Sequence, residues 1–364
     1  MKQRIYSMDL IRVIAMILVI IVHTKGNFFS KDVHSAVYAF LKVAGTIGVP
    51  LFVMLTGYLM FGRNYNDNSY LQKYLSRNLL PLVIAYEVWN IVWNLLRYTH
   101  VAENPQKWSA IIKAGLFMGD TMSALWYLPM TIALYLGMPL LAVAYHNISS
   151  ITYQKVLLAA LVLSGTLIPS VAPMLTLIGH HADIHSVLRM NIFGASVWGE
   201  SVWMIYLLAG YAISKGCMKQ IKTTSLMLFG MIIPFGIMYA IEFTGTTVQH
   251  YDFVLVVVLA IASFEVLTRT EGWLNQYERM RSLTVKISTF SFSVYMMHIF
   301  VGGGICYALN KIMGISKPLG SSSPWLISLF IYILYIGMII LISWLLVSLL
   351  KKNAFIRRYV LLMK

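Results

Sequence analysis

Asp9, Arg12 and His23 fall within one apolar run, residues 8–25. Ionisable groups in a spanning segment are costly and mark function by default. On a helix turning about 100° per residue, Arg12 and His23 lie within about 20° of the same face and about 16 Å apart along the axis. Asp9 precedes Arg12 by one turn, near the same stripe, where the two can pair. One face therefore carries an ion pair at one end and an imidazole toward the other. The pair suits either an anionic ligand or a structural tie. The imidazole is a group that can titrate near neutral pH.

Other side chains extend the set. Lys73 and Arg77 stand at i, i+4 and share a helix face. Two close cations there fit a phosphate-bearing ligand, or form an ordinary positive cluster at a cytoplasmic helix end. Glu87, Asn90, Asn94 and Arg97 make one polar stripe along an apolar helix, lining a pathway or forming a structural network. Glu87 near mid-membrane must be paired or neutral, with Arg12 a candidate partner. His298 near mid-membrane is either an interhelix tie or a catalyst. Glu200, expected at about the level of His23, could orient that imidazole or cap its own helix. Gly302-Gly303-Gly304 reads as a packing site. His180, His181, Asp183 and His185 have ligand chemistry, yet loop spacing fixes no geometry, so a solvated loop and no metal are expected.

These residues need a membrane scaffold. The chain of 364 residues is 59% hydrophobic and 11% charged, with a mean hydropathy of +0.74. Apolar runs at 8–25, 43–62, 78–98, 125–145, 156–173, 198–214, 224–243, 252–268, 288–309 and 324–350 are each about long enough to cross the hydrocarbon. The fold class expected is all-α, a polytopic bundle of about ten transmembrane helices with both termini cytoplasmic, forming a single domain over 1–364 with no separate soluble domain. Pro169 and Pro234 interrupt runs without excluding spans. The net charge of +15 suggests nucleic acid, but its distribution argues otherwise. With both termini inside, 18 of the 28 Lys and Arg residues are cytoplasmic and 9 lie opposite, as the positive-inside rule requires. The lipid bilayer, and no nucleic acid, is the partner this implies. Asp9 and Arg12 interrupt what would be a signal-peptide core, and no small-residue cleavage site follows, so the first helix is read as retained. Cys217 and Cys306 fall at opposite depths and no disulfide is expected.

With these residues in place, Asp9-x-x-Arg12 followed after ten residues by His23 resembles the first-helix signature of the acyltransferase-3 family of integral membrane acyltransferases. Gly48-Val-Pro-Leu-Phe-Val-Met-Leu-Thr-Gly57-Tyr-Leu resembles its second-helix segment, with Thr56 where Ser is common. Lys73, Arg77 and Pro81 resemble the basic start of the third helix. Leu125-Trp126-Tyr127-Leu128 resembles a tetrapeptide in the fourth, although this chain has Ala124 where relatives often have His. Tyr206-Leu-Leu-Ala-Gly210-Tyr and Ser293-Val-Tyr-Met-Met-His298 resemble later segments, so the likeness covers essentially the whole chain.

The resemblance implies transfer of an acyl group, usually acetyl from cytoplasmic acetyl-CoA, to a hydroxyl of an extracytoplasmic acceptor such as a cell-envelope carbohydrate, in a bacterial plasma membrane. It implies catalytic roles for His23, Arg12, Asp9 and Glu200 and binding of acyl-CoA by Lys73, Arg77 and Arg12. A substrate path would run along Glu87, Asn90, Asn94, Trp126, Tyr127 and His298. No metal is expected, and assembly as a homodimer is compatible with this. Trp108, Trp126 and Trp198 could stack on a sugar ring or anchor at the interface. The membrane half of serine racemases linked to vancomycin resistance resembles the same family, which keeps a serine-type transporter as the alternative. A structural subunit, with Arg12 and His23 an inert tie, is the third reading.

Overall fold

A computed structural model describes residues 4–31, 35–98, 109, 112–113, 125–177, 191–192, 195–196, 201–243, 251–313 and 324–363. Its helices are α1 (Tyr6–Thr24), α2 (Ser35–Thr46), α3 (Gly48–Thr56), α4 (Asn68–Tyr74), α5 (Leu80–Tyr98), α6 (Tyr127–Asn147) and α7 (Ile151–Val162). After these come α8 (Ile168–Leu177), α9 (Ser201–Ser214), α10 (Ile233–Phe243), α11 (Val254–Thr268), α12 (Glu271–Gln276), α13 (Glu278–Met313) and α14 (Trp325–Leu350). The β pairing among the described residues is one two-residue hairpin, Asn191–Ile192 with Ala195–Ser196. The all-α polytopic class expected from sequence is what the chain adopts. Every one of the ten apolar runs contains a helix, and among the described residues seven helical stretches meet the length and apolarity needed to cross a bilayer.

Hydropathy places the third run at 78–98, but helical structure begins ten residues earlier. The Asp67 side chain accepts the backbone N–H groups of Ser69, at 2.9 Å, and Tyr70, at 3.4 Å, and so starts α4 in polar sequence. These bonds, with one from the Ser69 hydroxyl, hold the Asp67 carboxyl below the usual carboxylate range.

Three prolines shape their helices in the same way. Wider turns with i to i+5 bonding occupy Leu75–Leu79, Leu163–Leu167 and Leu226–Ile232. Each ends two residues before a proline: Pro81, Pro169 and Pro234. A proline supplies no N–H to the carbonyl four residues back, and that carbonyl (Arg77, Gly165, Gly230) lies inside the widened turn each time. Local rewinding absorbs the lost bond, and the helix continues.

The chain divides into two compact units, each drawn from separate stretches. The first comprises residues 1–63, 145–288 and 306–336. Its centre is α1, which buries Met8, Ile11, Ala15, Met16, Val19 and Ile20. In lipid, apolar burial alone gives helices little reason to associate, and close backbone approach matters more. A Cβ at Gly45 would stand 3.1 Å from the Leu18 carbonyl oxygen, and one at Gly48 3.0 Å from that of Ala15. The contact between α3 and α9 is closer still. A Cβ at Gly57 would stand 1.9 Å from the Leu207 oxygen, and one at Gly210 2.0 Å from the Met54 oxygen. These two glycines let the backbones touch, a physical reason for the Gly-Tyr pairs in both segments.

The second unit comprises residues 64–144, 289–305 and 337–364. Here α5 packs on a short wide turn, Ile356–Val360. Trp89 Nε1 donates to the Val360 carbonyl at 3.1 Å and Ser293 Oγ to that of Leu361 at 2.9 Å. Of the expected packing site Gly302-Gly303-Gly304, Gly302 is buried while Gly303 and Gly304 stand open. Both are exposed, with no described atom within 4 Å of an added Cβ.

Candidate active site

The N-terminal end of α1 is tied by two carboxylates. Its own N-cap residue, Ile5, offers no side-chain acceptor. Glu271 from α12 serves instead, accepting the Tyr6 N–H at 3.1 Å and the Ser7 N–H at 2.6 Å. A carboxylate there satisfies orphan donors and faces the positive end of the helix dipole.

Asp9 is 2% exposed and accepts four bonds. Arg4 donates from Nε at 2.6 Å and Nη2 at 3.1 Å, Arg12 from Nη1 at 3.0 Å, and Ser288 Oγ at 2.6 Å. The expected Asp9–Arg12 pair is present, but its geometry makes Asp9 a positioning residue. Its lone pairs are engaged by protein donors, and no oxygen is turned outward for chemistry. Arg12 differs. Its side chain is 36% exposed, and Asp9 receives one of the five N–H bonds the guanidinium can donate. The other donors have no protein partner among the described residues. That arrangement suits an anion or a polarised carbonyl.

At the C-terminal end of α1, His23 is exposed while Thr24 and Lys25 beside it are buried. The Thr24 hydroxyl donates to the Ile20 carbonyl at 2.7 Å and lies 2.9 Å from the Tyr332 hydroxyl, which also reaches the Ile21 carbonyl at 3.2 Å. Asn27 Nδ2 donates to the Tyr335 hydroxyl at 3.1 Å, and Cys306 Sγ lies 3.4 Å from the same oxygen. Phe28 packs on Tyr332 and Tyr335, with ring centroids 5.4 and 4.8 Å away. Two hydroxyls from the start of α14 thus anchor the turn that presents His23.

Both ends of α13 within this unit mirror α1. Ser288 meets Asp9 at one end, and Cys306 meets the Asn27–Tyr335 pair at the other. Arg12 and His23 lie toward opposite ends of α1, about 16 Å apart along its axis.

In the second unit, Lys73 on α4 and Arg77 in the following turn are both exposed. Asn94 Nδ2 donates to the Asn90 carbonyl at 2.8 Å and to Asn90 Oδ1 at 3.1 Å, so this part of the stripe forms on α5. Both Glu87 carboxylate oxygens are buried without a hydrogen-bond partner among the described residues. A buried unpaired carboxylate is costly enough that the neutral acid is the form the site can hold. His298 is 1% exposed, with Nδ1 against the Tyr295 carbonyl one turn back. The Tyr295 ring lies 5.7 Å from His298 and 5.7 Å from Tyr127, which stacks beside Trp126 at 6.5 Å. The expected path residues Tyr127 and His298 therefore share one aromatic cluster.

Glu200, the loop residues His180, His181, Asp183 and His185, Ala124, Trp108 and Trp198 lie outside the described residues, as does the Arg97 side chain. The sequence reading passed over Arg4, Ser288, Glu271, Tyr332 and Tyr335. It also passed over Glu242, which pairs with Lys42 at 2.6 Å, and Glu265, which pairs with Arg269 at 2.8 Å. The last two carried the same signal as Asp9, an acid inside an apolar run.

Together these features define a multi-pass membrane protein with an ion-paired arginine and an accessible histidine on one central helix. The model of an acyltransferase domain, that of the acyltransferase-3 family, matches residues 5–348. The chain belongs to that family and is a membrane acyltransferase in general terms. No curated protein matches the chain, and no solved structure does.

Proposed function

We propose that the protein moves an acyl group, acetyl in the simplest case, from cytoplasmic acyl-CoA to a hydroxyl of an extracytoplasmic acceptor, a cell-envelope carbohydrate, in the cell membrane. The observation that carries this reading is the pairing on α1 of an open Arg12 fork with an accessible His23. As general base, His23 takes the acceptor's hydroxyl proton while that oxygen forms a bond to the thioester carbonyl carbon. The carbon–sulfur bond then breaks, and the coenzyme A thiolate leaves and regains a proton. As acyl carrier, a neutral His23 ring nitrogen bonds to the acyl carbon as the carbon–sulfur bond breaks and the thiolate leaves. The acceptor oxygen then bonds to that carbon, the carbon–nitrogen bond breaks, and the hydroxyl proton passes to the freed imidazole. In either route Arg12, braced by Asp9, offers N–H donors to the anionic donor molecule. Taken by itself, the second unit offers Lys73 and Arg77 as exposed cations suited to the phosphates of acyl-CoA. No role is assigned to a metal.

Incubating purified protein with acetyl-CoA and envelope polysaccharide fragments tests this through acceptor-dependent release of free coenzyme A thiol. Transfer without thioester consumption is chemically impossible, so silence with every fragment argues against the reading. The buried, unpartnered Glu87 beside Asn90 and Asn94 favours a second reading, a transport path for a serine-like solute. Uptake of labelled serine into proteoliposomes lacking acetyl-CoA would support it.

A further inference from the structure

The C-terminal end of α1 carries more positive charge than the proposed chemistry uses. Lys25, two residues after His23, is 8% exposed and its Nζ donates to the Val22 carbonyl at 2.7 Å. That ammonium also stands 5.3 Å from the centre of the Tyr38 ring, and the Lys31 ammonium stands 5.9 Å from the same centre. Lys42 lies within electrostatic reach of Lys25, as does its partner Glu242. Among the described residues, Lys25 is thus within electrostatic reach of two other ammonium groups, Lys31 and Lys42, and of one carboxylate, Glu242, which is already bonded to Lys42. Asp32 follows Lys31 in sequence, outside the described residues, and counting it still leaves the group cationic.

Two features separate this from a lysine belt at a membrane surface. Such lysines extend their heads into water, whereas Lys25 is buried without a carboxylate. Two cations also stand beside one aromatic ring, held together against their mutual repulsion. Cation–π contacts contribute only about 0.5–2 kcal/mol each, and a bound anion would relieve the repulsion directly. His23 is within electrostatic reach of Lys25, so an anion held here lies beside the reacting hydroxyl.

We propose that Lys25 and Lys31, both beside the Tyr38 ring, hold an anionic group of the acceptor, so that the hydroxyl offered to His23 belongs to a carboxylate- or phosphate-bearing polymer. This rests on the acyl-transfer reading above. Neutral glycans, by the same logic, are poorer acceptors.

The test uses full-length protein in phosphatidylcholine nanodiscs. Binding of fluorescent oligogalacturonide and poly(glycerol phosphate) is compared with binding of methyl-esterified oligogalacturonide, without donor. Consumption of acetyl-CoA is measured in parallel on the same samples. At least tenfold tighter binding of one anionic oligomer over the ester is expected, weakening with salt and falling towards parity in Lys25→Gln and in Lys31→Gln. Lys31 is exposed, so its variant remains informative if Lys25→Gln misfolds. The responding oligomer distinguishes carboxylate from phosphate. Equal binding of charged and esterified oligomers, with acetyl-CoA still consumed, overturns this proposal and spares the acyl-transfer reading. Charge-selective binding with no thioester consumed under any condition overturns both that reading and the acceptor assignment. Displacement of the oligomer by phosphatidylglycerol in the disc at equal charge would make the patch a lipid site and likewise overturn it.

Discussion

Asp9 holds Arg12 by a 3.0 Å bond to Nη1 while accepting three further bonds from Arg4 and Ser288. The carboxylate is buried and the guanidinium is half open, so one partner fixes and the other remains available. On α1 the buried Asp9 thus braces the half-open Arg12 at one end, and the exposed His23 stands at the other.

Asp9→Asn should destabilise the protein and reduce turnover together. It leaves Arg4 and Arg12 without their counter-charge and weakens the bond from Ser288. Because both arginines are partly exposed, the cost should be about 1–3 kcal/mol, below that of a fully buried pair. A lowered melting temperature in detergent, with an increased KM for acyl-CoA, is the expected outcome. Unchanged stability would show that Asp9 is no brace.

His23→Gln should separate stability from activity. The side chain is exposed, so stability should move by no more than about 0.5 kcal/mol. Loss of a general base should lower kcat by about 100-fold or more. A coincident fall in melting temperature would point to a structural histidine.

Glycine substitutions test the helix contacts. Gly57→Ala or Gly210→Ala places a methyl about where a carbonyl oxygen already lies, 1.9 and 2.0 Å away, and should cost about 3 kcal/mol or more. Gly303→Ala meets open space and should gain up to about 1 kcal/mol from helix propensity. Thermal unfolding of the three variants compares them directly.

Lys73→Ala combined with Arg77→Ala should weaken coenzyme A binding by about tenfold, measured by calorimetry, with little change in folding because both residues are exposed. Unchanged affinity would assign the pair to membrane topology alone.

α1 and its Asp9–Arg12 pair are legible in the sequence because charge inside an apolar run is a local signal. The same signal at Glu242 and Glu265 was just as visible and marked real ion pairs. Other features had no local trace. Glu271 caps α1 from 264 residues away, a distance no window along the chain spans. Tyr332 and Tyr335 sit in an apolar helix that tolerates tyrosine anywhere, so their bonds to Thr24 and Asn27 emerge only when α1 and α14 meet. The start of α4 eluded hydropathy because an Asp67 cap, unlike an apolar run, leaves no hydrophobic mark. Ser288 meets Asp9 from 279 residues away, which is equally invisible along the chain.

The central claim is that His23 serves acyl transfer along an axis begun at Arg12. Free coenzyme A thiol released from acetyl-CoA by purified protein, with and without acceptor, tests it most directly when run beside the His23→Gln variant. The account predicts acceptor-dependent thiol release with matching acetylated product, and loss of both in a variant that remains folded. Full thiol release and product formation by folded His23→Gln protein would contradict it.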